Sequence, residues 1–86
     1  MAYKILYKQS VSRDLKRLSK AEAGRILNQI DGELPKKAAS NPVLKGQFAG
    51  LRKHRIGDYR VIYSILDDDV VILRIAHRRD VYRKKI

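Results

Sequence analysis

Cysteine is absent from this 86-residue sequence, and tryptophan is absent too. Without cysteine there is no disulfide bond, no thiolate metal site and no cysteine nucleophile. No apolar run approaches the roughly 18 residues that a transmembrane helix needs. The first residues lead into a short alternating stretch rather than into a signal peptide. These absences favour a cytoplasmic protein, and the length predicts a single domain over residues 1–86.

Acidic residues are scarce. Twenty Lys and Arg residues stand against nine Asp and Glu, so the formal net charge is 20 − 9 = +11, and the pI is about 10.3. The hydrophobic fraction of 44% is ordinary for a globular protein and argues against wholesale disorder. So large a charge on so small a body favours a polyanionic partner, with nucleic acid first, an acidic protein second and an anionic membrane third.

The first half of the sequence predicts one strand and two helices. Residues 3–7 are aromatic and β-branched, which is typical of an edge strand. Val11, Leu15 and Leu18 then have helical spacing, and we expect Ser10 or Ser12 to cap that helix.

A second helix is predicted from a capping box. Ser19 is followed three residues later by Glu22, and an apolar stripe at helical spacing comes next. Pro35 is expected to end this helix, because the residue before a proline disfavours the α region. The stripe consists of Ala23, Ile26, Leu27, Ile30 and Leu34.

The second half predicts a sheet. Residues 35–50 contain both prolines, which predicts a basic loop. Leu44 and Phe48 are expected to anchor this loop to the body of the protein. Period-two stretches then predict strands over 51–56, 59–66 and 70–76. The expected fold is α+β with the order β-α-α-β-β-β, a two-helix hairpin packed on an antiparallel sheet.

Strand pairing predicts a cluster of cations. A two-residue turn of type II′ at Gly57-Asp58 places Arg55 directly opposite Arg60. Lys53 shares their face because side chains alternate along a strand. With a turn at residues 68–69, the same counting places His77 opposite Arg60. The predicted cluster is Lys53, Arg55, Arg60 and His77, with Arg78 and Tyr82 just beyond.

Two readings of this cluster stay open at this point. Surface Lys and Arg side chains are commonly no more than solvated strand faces. Their convergence on one face favours anion binding instead, since like charges directly opposite each other are destabilising. His54 faces away from the cluster by strand parity, so we interpret it as structural.

The side chains suit metal-free RNA cleavage. The sequence has no metal-binding motif, and Asp67 to Asp69 are typical of a polar turn, so we expect no metal and no cofactor. In this chemistry the 2′-hydroxyl attacks the adjacent phosphate, which requires a base, an acid and cations on the phosphoryl oxygens. His77 or Lys53 can move protons, and arginines such as Arg60 and Arg78 can hold the phosphate with their fork geometry.

Two segments carry a family resemblance. LRKHRIGDYRVIY (residues 51–63) and VVILRIAHRRDVYR (residues 70–83) together resemble the RelE branch of the RelE/ParE toxin superfamily, and the strand and helix pair before them fit the same fold. The resemblance implies a toxin of a type II toxin–antitoxin system. It further implies cleavage of mRNA in the ribosomal A site without metal, and neutralisation by an acidic RelB-like antitoxin.

The resemblance also carries residue roles. The family's catalytic positions fall on Lys53, Arg55, Arg60, Arg78 and Tyr82, and some relatives use a histidine near His77. Nine further cations are expected to bind RNA and the ribosome: Lys36, Lys37, Lys45, Arg52, Arg74, Arg79, Arg83, Lys84 and Lys85.

Two alternatives are kept. The ParE branch shares the fold but acts on DNA gyrase, without RNA cleavage. A simple nucleic-acid-binding module would show strongly salt-dependent binding and leave the nucleic acid intact.

Overall fold

The computed structural model describes residues 3–79, apart from the side chain of Gln47. The predicted order β-α-α-β-β-β is confirmed. Its elements are β1 (Lys4–Tyr7), α1 (Ser10–Lys16), α2 (Lys20–Lys37), a short 3-10 helix (Gly46–Phe48), β2 (Arg52–Ile56), β3 (Tyr59–Leu66) and β4 (Asp69–His77). None of the helices in the described part of the chain is both long and apolar enough to cross a membrane.

The four strands form one mixed sheet in the order β1-β4-β3-β2. The predicted antiparallel pairing is confirmed for β2 with β3 and for β3 with β4, while β1 pairs parallel with β4. No hairpin turn joins β1 to β4, since both helices and two strands lie between them. Their relative direction therefore depends on how the whole chain packs.

The α2 helix shows one correct and one incorrect prediction. Ser19 is its N-cap residue, and the Oγ of Ser19 accepts a hydrogen bond from the Glu22 backbone N–H at 3.2 Å. Pro35, however, lies inside the helix, so the prediction that the helix ends there is wrong. Leu34 and Ala38 on either side of the proline are fully buried. Their burial offsets the backbone hydrogen bond that proline cannot make.

The α1 helix begins at Ser10, but the predicted serine cap is wrong. Gln9 occupies the N-cap position and makes no side-chain cap. The Ser10 hydroxyl instead donates to the Leu73 carbonyl at 3.2 Å, and the Ser12 hydroxyl donates to the Gln9 carbonyl at 2.8 Å. Both hydroxyls are therefore donors to carbonyls rather than acceptors from the first helical amides.

The core lies between the helix pair and one face of the sheet, as the two apolar stripes predict. Its buried residues come from α1, α2 and the three later strands, with Leu15 and Leu18 packed against it. The helical contribution is Val11, Ile26, Ile30 and Leu34, and the strand contribution is Ile56, Val61, Tyr63, Val70, Ile72 and Ile75.

Candidate nucleic-acid interface

Alternation along β2 and β3 separates charged side chains from the core. Ile56 and Val61 are buried on the helix side of the sheet. Because successive strand residues point to opposite faces, Lys53, Arg55 and Arg60 lie on the side turned away from the helices. We call these three residues the cationic face.

Two guanidinium groups of the cationic face are directly opposed. Arg55 pairs with Arg60 across the β2–β3 ladder, as predicted. Gly57 has a φ of 57° while Asp58 has no positive φ, which matches the predicted type II′ turn. Among residues 3–79, the ion pairs involve other cations, so no carboxylate neutralises this face. The arrangement stores electrostatic repulsion that a bound anion would relieve.

Backbone carbonyls hold the Arg60 side chain in place. Its Nη1 donates to the Gly57 carbonyl and to the Tyr59 carbonyl, both at 3.2 Å. The guanidinium is therefore positioned beside the hairpin turn before any ligand arrives. Arg55 is exposed and Lys53 is half-buried, so the cationic face is open to solvent at the Arg55 end.

His77 lies opposite Tyr59, so the prediction that it faces Arg60 is wrong. The β3–β4 turn pairs Leu66 with Asp69, so the pairing next to the turn is displaced by two residues from the predicted register. A β-bulge between Ile62 and Tyr63 then reduces this displacement to one residue. A net slip of one residue reverses the face of the side chain. The His77 side chain therefore projects from the helix side of the sheet.

The surroundings of His77 are not those of the cationic face. Its ring meets the Tyr59 ring edge to face, with centroids 5.7 Å apart, and its Nδ1 accepts from the Arg79 backbone N–H at 3.2 Å. His77, Tyr59 and Asp14 help to line a cavity of about 200 Å³ between α1 and the ends of β3 and β4. Burial, followed by the nearby Glu22 carboxylate, raises the pKa of Tyr59 above its usual value.

Arg78 lies at the same end of the sheet as the hairpin turn. Its backbone N–H donates to the Asp58 carbonyl at 2.8 Å, and the side chains of Arg78 and Arg79 are both exposed. Four predicted site residues lie outside the described residues: Tyr82, Arg83, Lys84 and Lys85.

Two predicted RNA-binding arginines are engaged within the protein. Arg52 Nη1 donates to the Ala39 carbonyl at 3.2 Å and to the Asn41 carbonyl at 2.7 Å. Arg74 lies 3.5 Å from the Asp14 carboxylate, with both side chains largely buried. Arg52 and Arg74 therefore also support the fold, and their predicted contact with RNA stays a prediction.

The other predicted RNA-binding lysines are peripheral. Lys36 and Lys37 are exposed in the last turn of α2, and Lys45 is exposed just before the 3-10 helix. The expected loop anchors nearby, Leu44 and Phe48, are half-buried. The lysines belong to elements outside the sheet and are not part of the cationic face.

His54 is structural, as its strand parity predicts. It is 3% exposed, its Nδ1 lies 3.0 Å from the Asn41 side-chain nitrogen, and its Nε2 lies 3.5 Å from the Glu33 carboxylate. Burial lowers the pKa of His54, and the neighbouring Glu33 carboxylate partly opposes this effect. The residue joins β2 to the end of α2, and so supports the strand that carries Lys53 and Arg55.

Two of the three consecutive aspartates form a turn, as predicted. Asp67 and Asp68 form the β3–β4 turn, and Asp69 is the first residue of β4. Asp67 has a φ of 56°, a left-handed conformation that Asp tolerates better than most residues. Over residues 3–79, no group of three His, Asp or Glu side chains is arranged as a set of metal ligands.

Sequence reasoning missed a polar link between α1 and the sheet. Asp14 Oδ2 accepts from the Ile75 backbone N–H at 2.9 Å, while Oδ1 faces Arg74. This carboxylate thereby covers an edge amide of β4 beyond the end of β1. A signal was present, because Asp14 is the only acidic residue among the first twenty-one.

Comparison with known proteins gives a consistent family match. Residues 5–82 match the family described as the ParE toxin of the type II toxin–antitoxin system parDE. Toxin RelG of Mycobacterium tuberculosis is 32% identical over 87 residues, which cover 98% of this chain and 100% of the relative. Toxin RelE of the same organism is 34% identical over 88 residues, which cover 94% of this chain and 87% of the relative.

A solved structure shares the fold. The toxin–antitoxin complex RelBE2 from Mycobacterium tuberculosis contains a chain that superposes with a TM-score of 0.82 at 30% identity. The match covers 91% of this chain and 100% of that one. Two helices on a four-stranded mixed sheet are therefore the shared architecture.

Proposed function

We propose that this chain is a ribosome-dependent mRNA endonuclease. The premise is its family: the chain belongs to the RelE/ParE superfamily of type II toxin–antitoxin toxins. In this proposal it cleaves the message in the A site without a metal ion: the 2′-hydroxyl loses its proton to a base and attacks the adjacent phosphorus, and the 5′-oxygen leaves with a proton from an acid. Cleavage of the message inhibits translation. The observation that supports it is the directly opposed pair of Arg55 and Arg60, with Lys53 on the same face.

Electrostatics links that observation to phosphoryl transfer. Negative charge grows on the phosphoryl oxygens in the transition state, and preorganised cations stabilise it most. Arg60 is already held by two backbone carbonyls, so little reorganisation is needed for it to meet the phosphate. Arg55 faces it across the ladder and can approach from the other side.

Proton transfer is assigned to other residues. His77 projects from the opposite side of the sheet from Arg60, so strand pairing does not support it as the catalytic acid or base, and only the family resemblance does. Lys53 lies on the cationic face and is the described residue best placed to move a proton near the 2′-oxygen. Arg78 joins the phosphate contacts from the hairpin end, and the resemblance implies a catalytic role for Tyr82.

The proposed partners follow from the same charges. An acidic RelB-like antitoxin would cover the cationic face and neutralise it, consistent with the toxin–antitoxin complex of the similar solved structure. The ribosome and mRNA are the proposed targets, and the cytoplasm is the proposed location. The exposed cations Lys36, Lys37, Lys45 and Arg79 are proposed to contact RNA.

Primer extension on translated mRNA tests the catalytic assignment. We expect the wild-type chain to cut within A-site codons, and Arg60→Ala to lower the cleavage rate at least about 100-fold, by analogy with removal of a transition-state donor. Arg60→Lys keeps the charge but loses the fork geometry, so it should recover only part of the rate. Free RNA should be cut poorly, because the ribosome positions the substrate.

Lys4→Ala is the matched control. It removes one positive charge from the opposite edge strand, where Lys4 is exposed. We expect its cleavage rate to stay within about twofold of wild type. Equal losses in Lys4→Ala and Arg60→Ala would mean that net charge matters and that the cationic face does not.

A second candidate function is inhibition of DNA gyrase. The matched family description names the ParE toxin, which favours this alternative. A gyrase supercoiling assay separates the two functions. Inhibition of supercoiling by a chain that leaves translated mRNA intact would favour the gyrase inhibitor and refute the nuclease.

A further inference from the structure

A second basic surface surrounds α1, away from the cationic face. Five cations fall within residues 8–20, and each has an exposed side chain. Within residues 3–79, none of the five has an ion-pair partner. We call this set the α1 surface, and it consists of Lys8, Arg13, Lys16, Arg17 and Lys20.

Helix geometry places like charges side by side on the α1 surface. Arg13, Lys16 and Arg17 are spaced i, i+3 and i+4, so they share one side of the helix. Like charges at these spacings destabilise a helix. The single acidic residue of the segment, Asp14, points inward to Arg74 and to the Ile75 N–H, and it leaves the outer side without a carboxylate.

The α1 surface includes a polar groove. The groove has a volume of about 430 Å³, and its cationic lining comes from Lys8, Arg13 and Lys16. Gln9, Ser10 and Ser12 supply the rest of the lining, so every residue that lines the groove is cationic or carries a hydrogen-bonding side chain. Lysine, arginine, serine and glutamine side chains are the groups that contact phosphates and sugars in nucleic-acid complexes.

Hydrogen bonds attach the α1 surface to β4, the strand that leads to Arg78 at the hairpin end of the sheet. The Lys8 N–H donates to the Ile72 carbonyl at 2.8 Å, and the Ser10 hydroxyl donates to the Leu73 carbonyl at 3.2 Å. Asp14 adds the bond to Ile75 one turn further on. Because α1 packs on the helix side of the sheet, the α1 surface and the cationic face can bind two different RNA segments.

We propose that the α1 surface binds the phosphate backbone of folded ribosomal RNA, while the cationic face holds the cleaved mRNA. This inference rests on the proposed function for the identity of the RNA. The charge complementarity is independent of base sequence, so the surface supplies docking affinity and orientation rather than codon choice.

Salt-dependent ribosome binding tests the proposal. The full-length chain in an Arg60→Ala background is titrated against purified ribosomes at several salt concentrations. Arg13→Ala combined with Lys16→Ala is compared with Arg25→Ala combined with Lys4→Ala. Each pair removes one Arg and one Lys, and Arg25 already pairs with Glu22 at 3.5 Å.

We expect the α1 pair to lose two phosphate contacts. The negative slope of log K against log salt should become shallower by about 1.4 to 1.8, and affinity should drop up to about 60-fold at 0.1 M salt. The control pair should retain the wild-type slope. With Arg60 restored, the α1 pair should raise KM for mRNA cleavage on ribosomes and leave kcat within about twofold of wild type.

The outcomes separate this proposal from the proposed function. Equal slopes and affinities for the α1 pair and its control would overturn the α1 surface, even if the wild type cleaves mRNA. Unchanged ribosome binding with lost binding of an acidic antitoxin would also overturn it, and would assign the surface to a protein. Selective loss of ribosome binding by the α1 pair, together with a wild-type chain that cleaves no mRNA on ribosomes, would support the surface and refute the nuclease.

Discussion

The opposed Arg55–Arg60 pair should cost the protein stability while it supports cleavage. Replacing Arg55 with Gln removes one member of a like-charged cross-strand pair that no carboxylate neutralises within residues 3–79. We therefore expect Arg55→Gln to raise the free energy of unfolding and to lower the rate of mRNA cleavage. A variant that gains stability while losing activity would show that the repulsion is retained for function.

The magnitude follows from Coulomb's law. Directly opposed Cβ atoms are about 5 Å apart, and flexible side chains allow the two charges to separate to about 7 Å. At that distance, in a solvent-exposed environment, the repulsion is about 0.6 kcal/mol. Arg55→Gln should therefore raise the free energy of unfolding by about 0.5 kcal/mol. Arg55→Glu turns the repulsion into attraction and should raise it by about 1 kcal/mol.

Urea unfolding measures these changes. A double-mutant cycle with Arg55→Gln and Arg60→Gln isolates the pairwise energy, because Arg60 also bonds to backbone carbonyls. Lys4→Gln reports the general benefit of lowering the net charge. The measurements are repeated in 1 M salt, where a Debye length of about 3 Å screens the pair.

Two results would refute the reasoning. The first is a coupling energy that is zero or favourable at low salt, since a repulsive pair must show unfavourable coupling. The second is a stability gain in Arg55→Gln that does not exceed that of Lys4→Gln. Either result would mean that the two guanidinium groups do not interact across the ladder.

The remaining predictions concern the supports of the site. Asp14→Ala should lower the free energy of unfolding by about 3–5 kcal/mol, because it leaves the Arg74 guanidinium and the Ile75 N–H unpaired, whereas Asp14→Asn keeps one acceptor and should lose less. Equal urea midpoints for the two variants would contradict this role. For His54, burial lowers the pKa in the folded state, so the unfolded chain takes up the proton first. Stability should therefore be flat above the unfolded value of about 6.5 and should fall as the pH drops below it. His54→Gln should flatten that decline in urea unfolding between pH 7.5 and 5, and an unchanged decline would assign it to other groups, such as the adjacent Glu33.

Local chemistry explains the parts of the site that sequence predicted correctly. The Arg55–Arg60 register depends on a two-residue turn in which Gly57 takes the positive φ that a type II′ turn requires. The Ser19 cap depends on four consecutive residues. In both cases a few adjacent residues determine the geometry, so the pattern can be read without knowledge of the rest of the fold.

Long-range packing explains the parts that sequence predicted wrongly. A β-bulge and a turn one residue earlier move His77 from the Arg60 side to the Tyr59 side. No residue pattern predicts the bulge. It forms where β4 continues past the end of β1 and contacts α1 instead, so it depends on contacts between residues far apart in the chain.

By itself, the sequence determined the charge, the element order and the hairpin that opposes two arginines, since each follows from composition or from neighbouring residues. Only the tertiary structure decided that β1 joins parallel to β4, that α2 continues through Pro35 and that Asp14 points inward against the β4 edge. These features depend on burial and on hydrogen bonds between residues far apart in the chain. Because Asp14 points inward, the outer side of α1 carries cations and no carboxylate, and this is the basis of the second surface.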